Sequence, residues 1–201
     1  VVVAFRILPE IVWAMPRFGT FNVHAALLPQ YRGAAPINWA LINGETETGV
    51  TTFFLDKNID TGRIIMQKHF SIPDDADVEY VYNGLMNLGA DIATETIDKM
   101  VENDGNIDSI AQSNFMQFKE DELLPAPKIF KETCEIDWHL PVKRVYDFVR
   151  GLSPYTGTWT TIDENGQQCV LKIFKTAKTS ETWEGEFGSV RTLKGHLFVR
   201  C

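Results

Sequence analysis

The chain has 201 residues, 44% of them hydrophobic and 23% charged, and a formal net charge of −8. That length suits one large domain or two small ones, and that balance excludes disordered and collagen-like chains. The negative charge speaks against a protein that binds duplex nucleic acid by broad phosphate neutralisation. Residues 1–125 hold 8 basic and 18 acidic groups, a balance of −10, whereas residues 126–201 hold 11 and 9, a balance of +2. The asymmetry suggests two units with different partners, although two ordinarily solvated surfaces would give the same count. No apolar run approaches the ~18 residues of a membrane-spanning helix, and no signal peptide is visible. Cys134, Cys169 and Cys201 are widely and irregularly spaced, with no histidine cluster beside them. They read as free thiols of a reducing compartment, with neither a disulfide framework nor a metal site.

In chain order, Val1-Val2-Val3-Ala4-Phe5 is a β-branched run that reads as a buried parallel strand. Because the chain begins and ends in strand-like residues, a fragment of a longer protein is expected. Pro9 opens a short helix over residues 9–15, and residues 19–24 read as a second strand. Residues 27–36, punctuated by Pro29, Gly33 and Pro36, form a loop. Pro36 suits the first turn of a helix that stops at Gly44. Strands are predicted over residues 49–55 and 64–72. The strongest periodic signal lies between Asp74 and Asn103. There Val78, Val81, Tyr82, Leu85, Leu88, Ile92, Ala93, Ile97, Met100 and Val101 follow helical spacing behind an acidic first turn.

Periodicity dissolves from Gly105 onward, and Leu124-Pro125-Ala126-Pro127 reads as an extended linker. One helix follows over residues 141–152, then strands over 159–162, 170–174 and 190–199. Glu164-Asn165-Gly166 supplies a hairpin signal. The predicted order is an α/β unit, a linker, and a small mostly β unit.

Asn22 and His24 lie two apart on a strand, so both point to one face while Val23 points to the other. They stand at the strand's carboxyl end, where open α/β sheets bind ligands. An amide beside an imidazole suits stabilising an oxyanion and moving a proton, although the same two residues could simply end a strand. Asp60 follows the strand of residues 49–55 and, aided by Thr61-Gly62, is the better candidate to orient the imidazole. Asp56 is the second candidate.

The run Asn22-x-His24, then Leu27-Leu28-Pro29-x-Tyr31-Arg32-Gly33-Ala34-Ala35-Pro36-Ile37-x-Trp39, resembles the folate-dependent formyltransferase signature. So do Glu47-Thr48-Gly49-Val50-Thr51-Thr52 with Asp60-Thr61-Gly62, and Arg150-Gly151-Leu152-Ser153-Pro154-Tyr155 with Trp159. The resemblance implies a partial Rossmann-like α/β catalytic domain over residues 1–122, which takes in the start of the linker. It also implies a truncated, OB-like barrel over 123–201. The implied reaction is formyl transfer from 10-formyltetrahydrofolate, as co-substrate, to the amine of methionyl-initiator tRNA. In that scheme Asn22 donates to the formyl oxygen, His24 stabilises charge and carries a proton, and Asp60 holds His24 and helps deprotonate the amine.

Arg6, Ile7 and Leu8 would line the pterin slot, closed on its other side by Asp56, Lys57, Asn58 and Ile59. Candidates to face tRNA phosphate are Arg32, Lys128, Lys131, Lys143, Arg144 and Arg150, with Lys172 and Lys175 beside them. The resemblance further implies a monomeric, bacterial-type cytoplasmic enzyme without a metal. Sugar-nucleotide formyltransferases, formyltetrahydrofolate dehydrogenase or hydrolase, and a non-catalytic folate- or RNA-binding remnant stand as alternatives. Ala26 occupies a position where the family usually has Ser, and Thr156 one where Pro is common.

Overall fold

The computed structural model describes residues 1–3, 7–115, 120–164 and 166–201. The first unit runs α1 (Glu10–Trp13), β1 (Phe21–His24), α2 (Pro36–Ile42), β2 (Glu47–Phe54), β3 (Ile64–Ser71) and α3 (Val78–Glu102). Its sheet has the order β1-β2-β3, and both pairings are antiparallel. The parallel contact expected at the chain start is a single bridge from Val2 to Asn22. It is closed by Val2 N–H to Phe21 O (2.9 Å) and Val23 N–H to Val2 O (3.2 Å). The expected burial of this segment does not hold, since Val1 is 63% and Val3 79% exposed. A parallel strand is buried only when both of its faces are covered. Ala4 and Phe5 lie outside the described residues.

The long amphipathic segment forms α3, which begins at Val78 rather than Asp74. Asp77 caps it, its carboxylate accepting from Tyr80 N–H at 3.0 Å. Val78, Val81, Leu85 and Ile92 bury one stripe in the main core, and Met100 is buried further along the helix. The stripe passes through Thr96 and leaves Tyr82, Ile97 and Val101 exposed. Thr96 is tolerated in the core because its hydroxyl bonds Ile92 O (2.7 Å) and pairs with Thr52 Oγ1 (3.0 Å).

The second unit comprises α4 (Val142–Leu152), β4 (Thr158–Glu164), β5 (Gln167–Ile173), β6 (Val190–Leu193) and β7 (His196–Val199). The single strand expected over residues 190–199 is a hairpin. Lys194 and Gly195 both hold positive φ, +50° and +79°, which folds the chain back tightly on itself. Among the described residues β4-β5 and β6-β7 remain two separate two-stranded sheets, and no closed barrel is formed.

The two units share a core. Ile42, Cys134 and Leu152 are buried together, with Trp39, Phe148 and Trp159 packed around them. At the crossing of α2 and α4, Asn38 Nδ2–H donates to Gly151 O at 2.8 Å. A Cβ on Gly151 would come within 2.7 Å of Ile42 Cγ1 and 2.8 Å of Ile42 N. Gly151→Val should therefore push the helices apart and lower the unfolding free energy by about 1–3 kcal/mol. Urea denaturation of the variant beside the wild type measures it.

Candidate active site

β1 turns Val23 toward α3 and Asn22 and His24 toward the opposite face of the sheet. Both polar residues are buried, 7% and 6% exposed. Asn22 Oδ1 is buried with no hydrogen-bond partner among the described residues. An unpaired buried amide oxygen costs free energy unless something else binds there. His24 Nε2 lies 2.8 Å from the Tyr31 carbonyl. A carbonyl can only accept, so Nε2 carries a proton and Nδ1 is the ring nitrogen left to face other groups. The ring stands edge-on to Phe53, at 6.4 Å between centroids.

Residues 27–33, the loop that follows β1, are secured from the sheet. Thr51 Oγ1–H donates to Ala26 O (2.6 Å) and Oγ1 accepts from Leu28 N–H (3.1 Å), while Gln67 Nε2–H donates to Leu28 O (2.8 Å). Ala26 is fully buried in the main core. Tyr31 takes the left-handed backbone, φ +59°, that aims its carbonyl at His24. Its hydroxyl donates to Glu45 Oε1 at 2.5 Å and accepts from Asn43 Nδ2–H at 3.3 Å. Burial and the Glu45 hydrogen bond push the Tyr31 hydroxyl well above its ordinary pKa of 10.0.

Asp60 reaches this face by a different route from the one expected. Because β2 is antiparallel to β1, their carboxyl ends lie at opposite edges, with Phe54 beside Phe21 and Thr51 beside His24. The loop after β2 folds back instead. Gly62 packs so tightly that a Cβ would meet Phe54 O at 1.6 Å, and Asp60 holds φ +55°. The Asp60 carboxylate accepts from Gly33 N–H at 2.9 Å, and its Oδ2 stands 3.8 Å from His24 Nδ1.

Residues that sequence reasoning passed over complete the arrangement. Gln112, from the 3₁₀ turn Gln112–Phe115, bridges Arg32 to the backbone of residues 60–62. The expected linker is extended but docked. Tyr31 N–H bonds Leu124 O (2.7 Å), Ala126 N–H bonds Arg32 O (2.8 Å), and Ala35 N–H bonds Ala126 O (3.1 Å). A Cβ on Gly33 would strike Ala126 O at 2.4 Å, so only glycine lets the two segments meet.

Of the expected folate-slot residues, Arg6 lies outside the described residues. Ile7 and Asp56, Lys57, Asn58 and Ile59 are exposed, and Leu8 is half-buried. Lys57 Nζ stands 3.7 Å from Oε2 of Glu10, the first residue of α1. Asp56, the second candidate to orient the imidazole, is occupied elsewhere, accepting from Asn58 N–H (2.9 Å) and Thr61 Oγ1–H (2.7 Å).

Two of the cations expected to face tRNA are held inside the fold. Arg32 gives both Nε–H and Nη2–H to Gln112. Arg150 is 7% exposed and donates to Asp147 Oδ1 (2.8 Å) and Ala76 O (3.1 Å). Lys143 binds the other Asp147 oxygen at 2.6 Å. The buried Asp147 carboxylate requires such partners, and Lys143 supplies one while its own side chain stays mostly exposed. Lys128, Lys131, Arg144, Lys172 and Lys175 are exposed.

A cavity of about 1260 Å³ lies in the second unit between Trp138, Tyr146, β5 and β7, and none of the candidate catalytic residues lines it. Among the described residues no group of three His, Cys, Asp or Glu could hold a metal ion, and no helix is long and apolar enough to cross a membrane.

Residues 1–97 match the formyl transferase family model and residues 128–201 the model of the formyl transferase C-terminal domain. The chain belongs to the formyltransferase family. A methionyl-tRNA formyltransferase of Parabacteroides distasonis is 58% identical over 96% of this chain and 59% of its own length. One from Bacteroides fragilis is 55% identical over the whole chain and 60% of its own length. This formyltransferase chain therefore spans about 60% of the length of the curated relatives it matches. Among solved structures, an N-formyltransferase from Helicobacter canadensis, in complex with folinic acid and dTDP-3-aminofucose, superposes with a TM-score of 0.67. It is 21% identical and covers 90% of this chain and 61% of its own. HypX from Aquifex aeolicus in complex with tetrahydrofolic acid gives 0.67 at 22% identity, covering 98% of this chain and 32% of its own. These two likenesses establish the fold.

Tyr31 gives the formyltransferase chain a defined alkaline response. Its folded pKa is raised, so its contribution to stability is complete below pH 10.0 and is lost as pH rises beyond it. Tyr31→Phe should cost about 1.5–3 kcal/mol at pH 7 through the lost bond to a charged acceptor. That deficit should shrink above pH 10.0, as followed by denaturant midpoints at a series of pH values.

Proposed function

We propose that this chain carries the catalytic centre of an enzyme that transfers a formyl group from 10-formyltetrahydrofolate to the amino group of methionyl-tRNA. The observation that carries the reading is the convergence of three side chains that the sequence places apart. Asn22 and His24 share one buried face, and the Asp60 carboxylate stands opposite His24 Nδ1 at 3.8 Å. The choice of acceptor is supported by relatives that match the chain nearly end to end and carry the name methionyl-tRNA formyltransferase.

The residues present suit a bound folate. The Asn22 amide is buried with Oδ1 unpaired, and a half-turn about its last torsion exchanges acceptor for donor. Glu10, two residues after Leu8, lies near Lys57 of the loop that we assign to the other wall of the slot. When bound, 10-formyltetrahydrofolate supplies an electrophilic formyl carbon. Asn22 Nδ2–H would donate to the formyl oxygen, where negative charge builds. His24, held by its Nε2–H, would take the proton released by the attacking amine and return it to the folate N10 as the bond from formyl carbon to N10 breaks, which leaves tetrahydrofolate and the formylated amine. Asp60 faces the imidazolium so formed and is itself kept in place by Gly33 N–H. We further propose that the three-stranded sheet is part of a larger Rossmann-like sheet, and that the two hairpins of the second unit belong to an OB-like barrel. Exposed Lys128, Lys131, Arg144, Lys172 and Lys175 are the cations we assign to tRNA phosphate.

In the complete gene product, Asn22→Ala, His24→Ala and Asp60→Ala should each lower kcat for methionyl-tRNA formylation by about 100–1000-fold. Steady-state assays offering charged tRNA, a sugar-nucleotide amine and water in parallel read the acceptor. Near-normal turnover by His24→Ala would overturn the mechanism, and activity with the sugar nucleotide alone would overturn the acceptor.

A further inference from the structure

Gln112 lies on neither of the segments that carry Asn22, His24 and Asp60, yet its side chain holds the backbone that aims Asp60. It is 4% exposed. Its Oε1 accepts from Arg32 Nε–H (3.0 Å) and Nη2–H (2.6 Å), and its Nε2 donates to Asp60 O (2.8 Å) and Gly62 O (2.9 Å). Four hydrogen bonds use the whole capacity of an amide. The guanidinium on Oε1 draws charge through the group and strengthens both Nε2–H donors. The recipient backbone needs holding, because Asp60 stands at φ +55°, where residues other than glycine are strained. Such conformations persist only where the surroundings over-determine them. Arg32 immediately precedes Gly33, whose N–H binds the Asp60 carboxylate. One loop therefore grips Asp60 twice, directly through Gly33 and indirectly through Arg32 and Gln112.

We propose that Gln112 is a positioning residue, which with Arg32 behind it fixes the backbone of residues 60–62 so that the Asp60 carboxylate stays on Gly33 and opposite His24. The catalytic consequence rests on the formyl-transfer reading, whereas the clamp does not. Gln112→Glu is nearly isosteric. It keeps an acceptor for Arg32 but sets an oxygen against two carbonyls. Gln112→Ala removes all four bonds.

The experiment uses the complete gene product with two readouts, amide hydrogen exchange without substrate and steady-state formyl transfer to methionyl-tRNA. In both variants exchange at residues 60–63 should rise at least about tenfold while α3 keeps its wild-type protection. The kcat should fall by about 10–100-fold, with the KM for 10-formyltetrahydrofolate within about threefold of wild type. A kcat within about twofold of wild type overturns the proposal. So does unchanged exchange at the loop, or exchange that rises equally in α3. Should Gln112→Ala fail to fold, Gln112→Glu and Arg32→Lys decide on the same readouts. A wild-type protein inactive toward methionyl-tRNA would end the functional reading, and the exchange data would still judge the clamp.

Discussion

The hydrogen bond from His24 Nε2 to the Tyr31 carbonyl, at 2.8 Å, organises the rest of the site. It fixes the tautomer, turns the ring edge-on to Phe53, and leaves Nδ1 toward Asp60. Tyr31 can present that carbonyl only from a left-handed backbone, which the chain holds by tying down both ends of the residue. The hydroxyl is anchored on Glu45, and the N–H on Leu124 O. Strain placed at one residue is thus offset by bonds from three different segments, a pattern expected where geometry serves chemistry.

The same loop ties the two units together. Residues 124–126 run along the loop that carries Tyr31 and Gly33, and Gly33 admits them only because it lacks a Cβ. α4 then packs on α2, which the same loop leads into. Its Asp147–Arg150 pair is buried, and Arg150 reaches across to Ala76 O just before α3. Removing Asp147 would leave the buried Arg150 without its carboxylate, at a cost of about 3–5 kcal/mol, whereas loss of Arg150 would still leave Asp147 paired with Lys143. Arg150 is thus consumed in joining the units, whereas Arg32 is held within the first unit by Gln112.

Much of this was legible in the sequence. Alternation along Asn22-Val23-His24 put the two polar groups on one face, and helical spacing located α3, with the misplaced Ile97 explained by the hydroxyl bonds that let Thr96 into the core. Thr61-Gly62 marks the tight turn that carries Asp60, but it does not show how the carboxylate reaches His24. Antiparallel pairing is a tertiary outcome that composition does not reveal, and the loop must fold back to bring the carboxylate near. Gln112 had no local signal. It sits in a stretch without periodicity, and its partners lie 50 to 80 positions away. Lys194-Gly195 is the opposite case, turn chemistry present in the sequence but masked by the β-formers around it.

The central claim is that this buried face receives a formyl group. A crystal structure of the complete gene product with 5-formyltetrahydrofolate, a stable analogue of the co-substrate, tests it most directly. The account predicts the formyl oxygen within about 3.2 Å of Asn22 Nδ2, with the Asp60 carboxylate still on Gly33 N–H. A folate bound with its formyl group remote from Asn22 and His24 would contradict it.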